Sequence, residues 1–527
     1  MAAALDVLES GTTYELKAVI DIGSTSIRMV VAQVYADGKF QTLDALNQSV
    51  AIGSDTFTRG RISRSTIEDS VKVLRSFALV LKEYNIDLRE GVRAVATSAV
   101  REARNRDEFL DRSYMATGIN VEVIEGTEIN RLTFLGIRPL LQAKTVLCTG
   151  RLLVAEVGGG STELLGIDEG RVSFAHAYRM GSYRLREAMD AQEGSGARQA
   201  QVLRMEIEAG VRQCRDAVGS TSLKTSMLLM GSEARLAAGL APNESKQSEL
   251  SSLKLADLVK LAGKVLKMDI EQVARKYRLT YEEAQTLGPA LEIYIRMAEA
   301  FGLKSVYVCG ITLRDGLLAE AASLNAWTED FVEQILYSVR EIGKKYSLDQ
   351  AHADCVTGNA LALFRAMEPE HGLGYRYEVL LMVAAQLHDV GMFIGSSSHH
   401  KHAQYIIENS DIFGLGKEDI RLTALVARYH RGALPRNTHP GYDVLTREKR
   451  LVVNKLASIL RAADALDRSH TQSIRDVKVL LKEGQLVFEA GRNCDFAAEK
   501  RALISKGKMF EQVYGRTVVL RAKRRQG

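Results

Sequence analysis

The chain has 527 residues, 46% of them apolar and 26% charged, which is room for three or four domain-sized cores and excludes a disordered, collagen-like or disulfide-scaffolded protein. Lys and Arg number 70 against 65 Asp and Glu, a net of +5, too mild for a nucleic-acid coat, so no specific nucleic-acid partner is expected. The longest apolar run, Val379 to Leu387, is broken by Gln386 and falls short of a membrane helix; five scattered cysteines without a Cys-x-x-Cys pair, and a start with no basic-then-apolar leader, point to reduced thiols in the cytoplasm.

In chain order, residues 17 to 34 read as two apolar strands about the turn Gly23-Ser24-Thr25-Ser26, because β-branched residues flank a run of small ones. Helical patterns at Ser65 to Tyr84 and Glu128 to Gln142 alternate with strand-like runs at Gly91 to Ala96 and Gly118 to Ile124. Residues 151 to 167 repeat the first hairpin about Gly158-Gly159-Gly160-Ser161-Thr162, with Asp21 and Glu156 each two residues before a glycine. This is the pattern of a duplicated α/β lobe. Ser305 to Gly310 is one more strand ending on glycine, followed by a helix from Leu313 to about Ser323. From Trp327 to about His470 the period becomes helical, as at Leu422, Leu425, Val426 and Tyr429, before the tail returns to strands and ends in the basic cluster Arg521 to Arg525.

The two glycine turns suit one chemistry. Glycine lets backbone N–H groups approach an anion, and Ser and Thr add hydroxyl donors. A carboxylate at the strand end repels phosphate but holds Mg²⁺, which then reaches the phosphate. Asp21 with Gly23, Ser24, Thr25 and Ser26, and Glu156 with Gly158, Gly159, Gly160, Ser161 and Thr162, are therefore expected to be two facing phosphate loops, with Asp21 and Glu156 as metal ligands.

These loops, with Val308 to Gly316, resemble the sugar kinase/Hsp70/actin superfamily. Ala94 to Ala103, Glu122 to Glu128 and Val157 to Glu163 more closely resemble the Ppx/GppA family of exopolyphosphatases and guanosine pentaphosphate phosphohydrolases, over about Ala18 to His470. The resemblance implies two actin-like (ribonuclease H-like) α/β lobes at 1-137 and 138-325, an all-α HD-like domain at 326-475, and a small α+β C-terminal domain at 476-527. It implies Mg²⁺-dependent release of the terminal phosphate of inorganic polyphosphate, or of guanosine pentaphosphate, by a homodimer whose partner is inorganic polyphosphate or guanosine penta- or tetraphosphate. Arg101 would hold phosphate oxygens through its planar fork, with Thr97 and Ser98 in the same cleft. Glu163 matches the family. The family's water-activating glutamate falls on Ile129, which cannot accept a proton; Glu128, its neighbour, is the expected stand-in, and turnover by this cleft is expected to suffer.

The run Leu387-His388-Asp389-Val390-Gly391 resembles the HD-domain metal phosphohydrolases, which implies a second metal centre of His352, His388, Asp389 and Asp464. His352 and Asp464 share apolar helical stripes with Val356 and Leu460, so both should face a core, where a carboxylate needs a cation. His399, His400, His402 and His430 follow, and His430 joins the set. Imidazole and carboxylate suit Mn²⁺, Fe²⁺ or Zn²⁺. Between Arg421 and His470, ten Lys and Arg stand against four Asp and Glu, either a solvated basic face or a polyanion track. The leading expectation is thus an exopolyphosphatase-type hydrolase. Its rivals are a phosphate-binding sensor without turnover and a metal hydrolase acting from His388 and Asp389.

Overall fold

A computed structural model describes residues 14–35, 38–190, 196–219, 221–240, 249–322, 327–475, 477–491 and 496–522. The chain divides into two compact units, Met1–Ala326 and Trp327–Gly527. Cys494, Ser323 and the basic residues 523–525 lie outside the described residues.

The first unit is built on two sheets of one plan. Strands β1 (Tyr14–Ile22), β2 (Ser26–Tyr35), β3 (Phe40–Ser49), β4 (Val92–Ala96) and β5 (Val121–Val123) lie in the order β3-β2-β1-β4-β5. Strands β6 (Arg151–Val157), β7 (Thr162–Asp168), β8 (Arg171–Tyr178), β9 (Thr225–Met230), β10 (Leu250–Lys254) and β11 (Ser305–Cys309) lie in the order β10-β11-β9-β6-β7-β8. In each sheet an antiparallel meander, β1-β2-β3 or β6-β7-β8, continues into parallel strands across its first member. β1 and β6 are consequently central, and their C-terminal ends carry Asp21 and Glu156. Residues 18–22 of β1 are buried throughout, as is β6 except at Glu156, because neighbours cover both faces.

The helix Gly126–Ala143 runs across the lobe boundary expected at 137. The helix Leu313–Ala322, expected with the second lobe, instead packs on the first: Leu313, Leu317 and Leu318 join Val19, Val30, Val95, Ile129 and Leu132 in one buried cluster. The two helices meet at glycines. A methyl group on Gly316 would lie 2.1 Å from the carbonyl oxygen of Leu132, and one on Gly136 would lie 3.1 Å from the amide nitrogen of Gly316. That crossing keeps Ile129 on one helix in the same buried cluster as Leu313 at the start of the other.

The second unit is a helical assembly around Tyr375–Leu387, in which every residue from Glu378 to Leu387 is buried, as befits a helix apolar on all sides. Helices Gln350–Ala366, His399–Glu408, Lys417–Arg428 and Arg447–Ala465 accompany it. The same unit holds the sheet β12-β13-β14 (Lys478–Lys482, Gln485–Ala490, Thr517–Ala522), antiparallel then parallel, with helices Ala497–Lys506 and Lys508–Tyr514. Among the described residues no helix is long and apolar enough to cross a membrane.

Candidate active site

The two glycine turns have one geometry. The Gly23 N–H donates to the Ser26 carbonyl at 3.0 Å, and the Gly158 N–H donates to the Ser161 carbonyl at 2.8 Å. Further bonds draw the loop carbonyls away: Ser24 accepts from the Gly53 N–H, Gly158 and Gly159 accept from the N–H groups of Ser182 and Tyr183, and Gly160 accepts from the Arg184 side chain. The turns also touch. A methyl on Gly159 would sit 2.6 Å from Ser24 Cβ, and one on Gly160 would sit 2.7 Å from Ser98 Oγ and 2.3 Å from the Phe57 ring. Only glycine allows so close an approach.

One cavity opens where they meet. Asp21, Gly23, Ser24, Thr25, Ser26, Thr97, Ser98, Glu156, Gly158, Gly159, Ser161 and Glu163 line it. Thr97 starts the short helix Ser98–Arg101 without a side-chain capping bond, so capping does not account for its hydroxyl. Four expected residues lie elsewhere. Gly160 is packed behind the turn, and Thr162 Oγ1 donates to the Met180 carbonyl. Arg101 donates to the Ile124 carbonyl at 2.7 Å and lies 3.7 Å from Glu125.

Glu128 requires a correction. Its carboxylate accepts from Arg131 Nε and Nη2 at 2.8 and 2.7 Å, and Arg93 is at 3.4 Å; Arg131 also pairs with Glu320. Adjacent helical residues diverge by about 100°, so Ile129, buried at 5% exposure, lines the cleft while Glu128 does not.

The cavity walls also hold Arg28, Arg235, Arg314, Ser232, Glu233 and Thr286, which sequence reading passed over. A signal existed: Gly231-Ser232-Glu233 is a third glycine-serine turn at a strand end, with Gly231 at φ +108°, a conformation that favours glycine. Arg28 stands opposite Asp21 in the β1–β2 ladder.

The acids are crowded. Glu156 and Glu163 face each other across the β6–β7 ladder, an arrangement that is unfavourable when both are charged. Asp21 lies 3.8 Å from Arg314. Glu156 Oε2 is sealed from solvent without a hydrogen-bond partner. Burial, then the charges of Glu163 and Asp21, push the Glu156 carboxyl up to about 7, against the pull of Arg235. Burial also raises Glu163, opposed by the Ser161 hydroxyl, which donates to it at 2.6 Å, and by Arg101. An all-oxygen donor set with an orphaned carboxylate oxygen fits a hard divalent cation such as Mg²⁺.

The second unit brings together its own expected residues. His352 Nε2 lies 3.8 Å from both Asp389 Oδ2 and Asp464 Oδ1, and His388 Nε2 lies 3.6 Å from Asp389 Oδ2. His430 Nε2 is 3.5 Å from Asp389 Oδ1. His399, which ordered-motif reading left out of the ligand set, is closer still, its Nε2 3.1 Å from Asp389 Oδ1. Its placement depends on Gly391, where a methyl would lie 2.1 Å from the His399 carbonyl oxygen. In the basic stretch between Arg421 and His470, Arg461 and Lys455 donate to backbone carbonyls of Gly432 and His371, and Arg450 to that of Asp443, so these three serve the fold.

A duplicated sheet whose paired glycine turns close over strand-end carboxylates is the plan of an actin-like fold. A model of the Ppx/GppA phosphatase family matches residues 29–324, and one of Ppx/GppA phosphatase domain III matches residues 336–504. The chain belongs to the Ppx/GppA phosphatase family. It is 28% identical over 440 residues to a guanosine-5'-triphosphate,3'-diphosphate pyrophosphatase of Photobacterium profundum, covering 81% of this chain and 82% of that one. The corresponding pyrophosphatase of Aeromonas salmonicida is 27% identical over 473 residues, covering 87% and 88%. Among solved structures, an exopolyphosphatase from Cytophaga hutchinsonii superposes with a TM-score of 0.52 at 19% identity, over 58% of this chain and 98% of that one, a likeness of fold.

Proposed function

We propose that the lobe cleft hydrolyses phosphoanhydrides, releasing the terminal phosphate of inorganic polyphosphate or of guanosine pentaphosphate. The observation that carries this reading is the contact of two glycine turns directly over Asp21, Glu156 and Glu163. The turns and their hydroxyls bind the terminal phosphate, and Arg28, Arg235 and Arg314 counter its charge. Asp21 and Glu156 would hold Mg²⁺, which when bound supplies charge neutralisation for the phosphate oxygens. The water oxygen forms the new bond to the terminal phosphorus, the bridging P–O bond breaks, and the shortened chain leaves. Glu163 takes the water's proton, its raised pKa bringing it nearer working pH. We place this reaction in the cytoplasm, in a homodimer.

Phosphate release from both substrates with Mg²⁺ tests the assignment. Glu163→Ala should lose about 10²-fold or more, and Glu128→Ala, whose carboxylate is held by Arg131, should match the parent. Parent-like turnover by Glu163→Ala overturns the role of Glu163. Ile129 favours a second reading, a polyphosphate or nucleotide sensor without turnover, whose mark is Mg²⁺-dependent binding of both ligands and no release from either.

A further inference from the structure

Where the second glycine turn meets the first lobe, one arginine links the turn to the opposite side of the cleft. The helix Ser182–Asp190 follows β8, and its first N–H groups take carbonyls of the turn: Ser182 donates to Gly158 at 2.9 Å, and Tyr183 and Arg184 donate to Gly159 at 2.9 and 3.1 Å. The Arg184 side chain takes the third, its Nε–H donating to the Gly160 carbonyl at 3.1 Å. In a trans peptide the C=O and the following N–H point in opposite directions. Drawing the carbonyls of Gly158, Gly159 and Gly160 to one side therefore turns the N–H groups of Gly159, Gly160 and Ser161 to the other, as an anion-binding nest requires.

The same guanidinium reaches across to the first lobe. Arg184 Nη2 donates to both carboxylate oxygens of Glu102 at 2.8 Å, and Glu102 also accepts from Arg179 at 2.9 Å. Arg184 Cζ lies 4.9 Å from the centre of the Phe57 ring, the ring that a methyl on Gly160 would strike at 2.3 Å. Glu102 ends the short helix Ser98–Arg101, whose Ser98 lines the cavity, and Phe57 lies in the helix Ile52–Arg59. The side chains of Arg184 and Glu102 are 26% and 25% exposed, so the pair is partly shielded from the solvent that weakens surface ion pairs. Neither is among the residues that line the cavity.

We propose that Arg184 is a positioning residue for the bound phosphate, and that its pairing with Glu102 sets the N–H groups of the second turn only while the lobes are closed. The inference rests on the reading that this cleft holds a terminal phosphate. With the pair made, the guanidinium is fixed at both ends, and the Gly160 carbonyl is held away from the anion. With the lobes apart, Glu102 and Phe57 leave Arg184 and its side chain regains rotamer freedom. The Gly160 peptide, unhindered by a side chain, is then free to turn its carbonyl oxygen towards the anion. Closure and grip are thus one event, and an anion that needs those N–H groups draws the lobes together. Charge alone argues the other way, because a carboxylate near the cleft repels phosphate. Removing the Glu102 carboxylate therefore changes affinity in opposite directions under the two accounts.

The test uses the full chain and magnesium pyrophosphate as the probe, with Kd from titration calorimetry and folding checked by thermal melts. Glu102→Ala should weaken binding about tenfold or more although it removes a negative charge, and Arg184→Ala should do the same. The double variant should bind no worse than either single one, because both act through one pair. The reversed pair, Glu102→Arg with Arg184→Glu, restores the bridge between the lobes but puts an acceptor where the Gly160 carbonyl needs a donor. Its melt should return towards the parent while its binding stays weak. Glu102→Ala binding as tightly as the parent, or more tightly, overturns the coupling. A reversed pair that binds like the parent overturns the positioning role and leaves Arg184 a strut between the lobes. A parent that does not bind the probe overturns the cleft reading, and this inference falls with it.

Discussion

At position 129 the cleft wall is a branched hydrocarbon, while the carboxylate one residue earlier is bound to Arg131. Local spacing could have revealed this, since Glu128 and Arg131 are a favourable i,i+3 pair. Replacing Ile129→Glu puts an acid on the cleft side of the helix. Steady-state phosphate release should rise about 10²-fold or more, at some cost in stability because Ile129 also belongs to a buried apolar cluster. An unchanged rate would mean that position 129 does not limit turnover. The second residue-scale consequence concerns pH. Glu156 binds its proton more tightly in the folded protein, with its pKa at about 7, than at the ordinary 4.5. Its contribution to stability is therefore full below about pH 4.5 and is lost as pH rises through 7, amounting to up to about 3 kcal/mol. Without Mg²⁺, Glu156→Gln should be more stable than the parent at pH 8 by up to that amount, and the difference should vanish near pH 5, read from urea midpoints. Because the ion binds the ionised acid, added Mg²⁺ should narrow the gap at pH 8.

At the scale of elements, the paired hairpins were legible because an apolar strand ends twice on the same glycine-serine-threonine chemistry. The helix Leu313–Ala322 was placed correctly along the chain, but its packing partner was not legible. Its apolar face suits either lobe, and the choice rests on glycines at 136 and 316 that read as ordinary small residues. Their closeness gives a sharp comparison. Gly316→Ala puts a methyl against a backbone carbonyl that cannot yield, and should cost about 1–3 kcal/mol. It should also weaken phosphate binding by shifting Arg314. Gly263→Ala, in the helix Leu255–Val265 with open space around it, should stabilise by about 0.5–1 kcal/mol. Thermal melts of the two variants should move in opposite directions.

At the scale of the whole molecule, two compact units each carry their own buried acids. Calorimetry of the full chain should show pyrophosphate with Mg²⁺ raising the unfolding transition of the first unit and Mn²⁺ raising that of the second. At a hundredfold excess over Kd each gain approaches about 2.7 kcal/mol. One ligand lifting both transitions equally would contradict separate sites. In the helical unit the clustering of His352, His388, Asp389, His430 and Asp464 was legible in their order along the chain; that of His399 was not, because a contact at Gly391 brings it in rather than any spacing along the chain. The late helix on the first sheet has one more consequence, for biosynthesis. As the nascent chain leaves the ribosome, Val19, Val30 and Val95 emerge early, but Leu313, Leu317 and Leu318, which cover them, come only after the entire second sheet has been translated. The first lobe cannot mature cotranslationally by itself, and until its cover arrives that greasy flank is a natural docking point for chaperones.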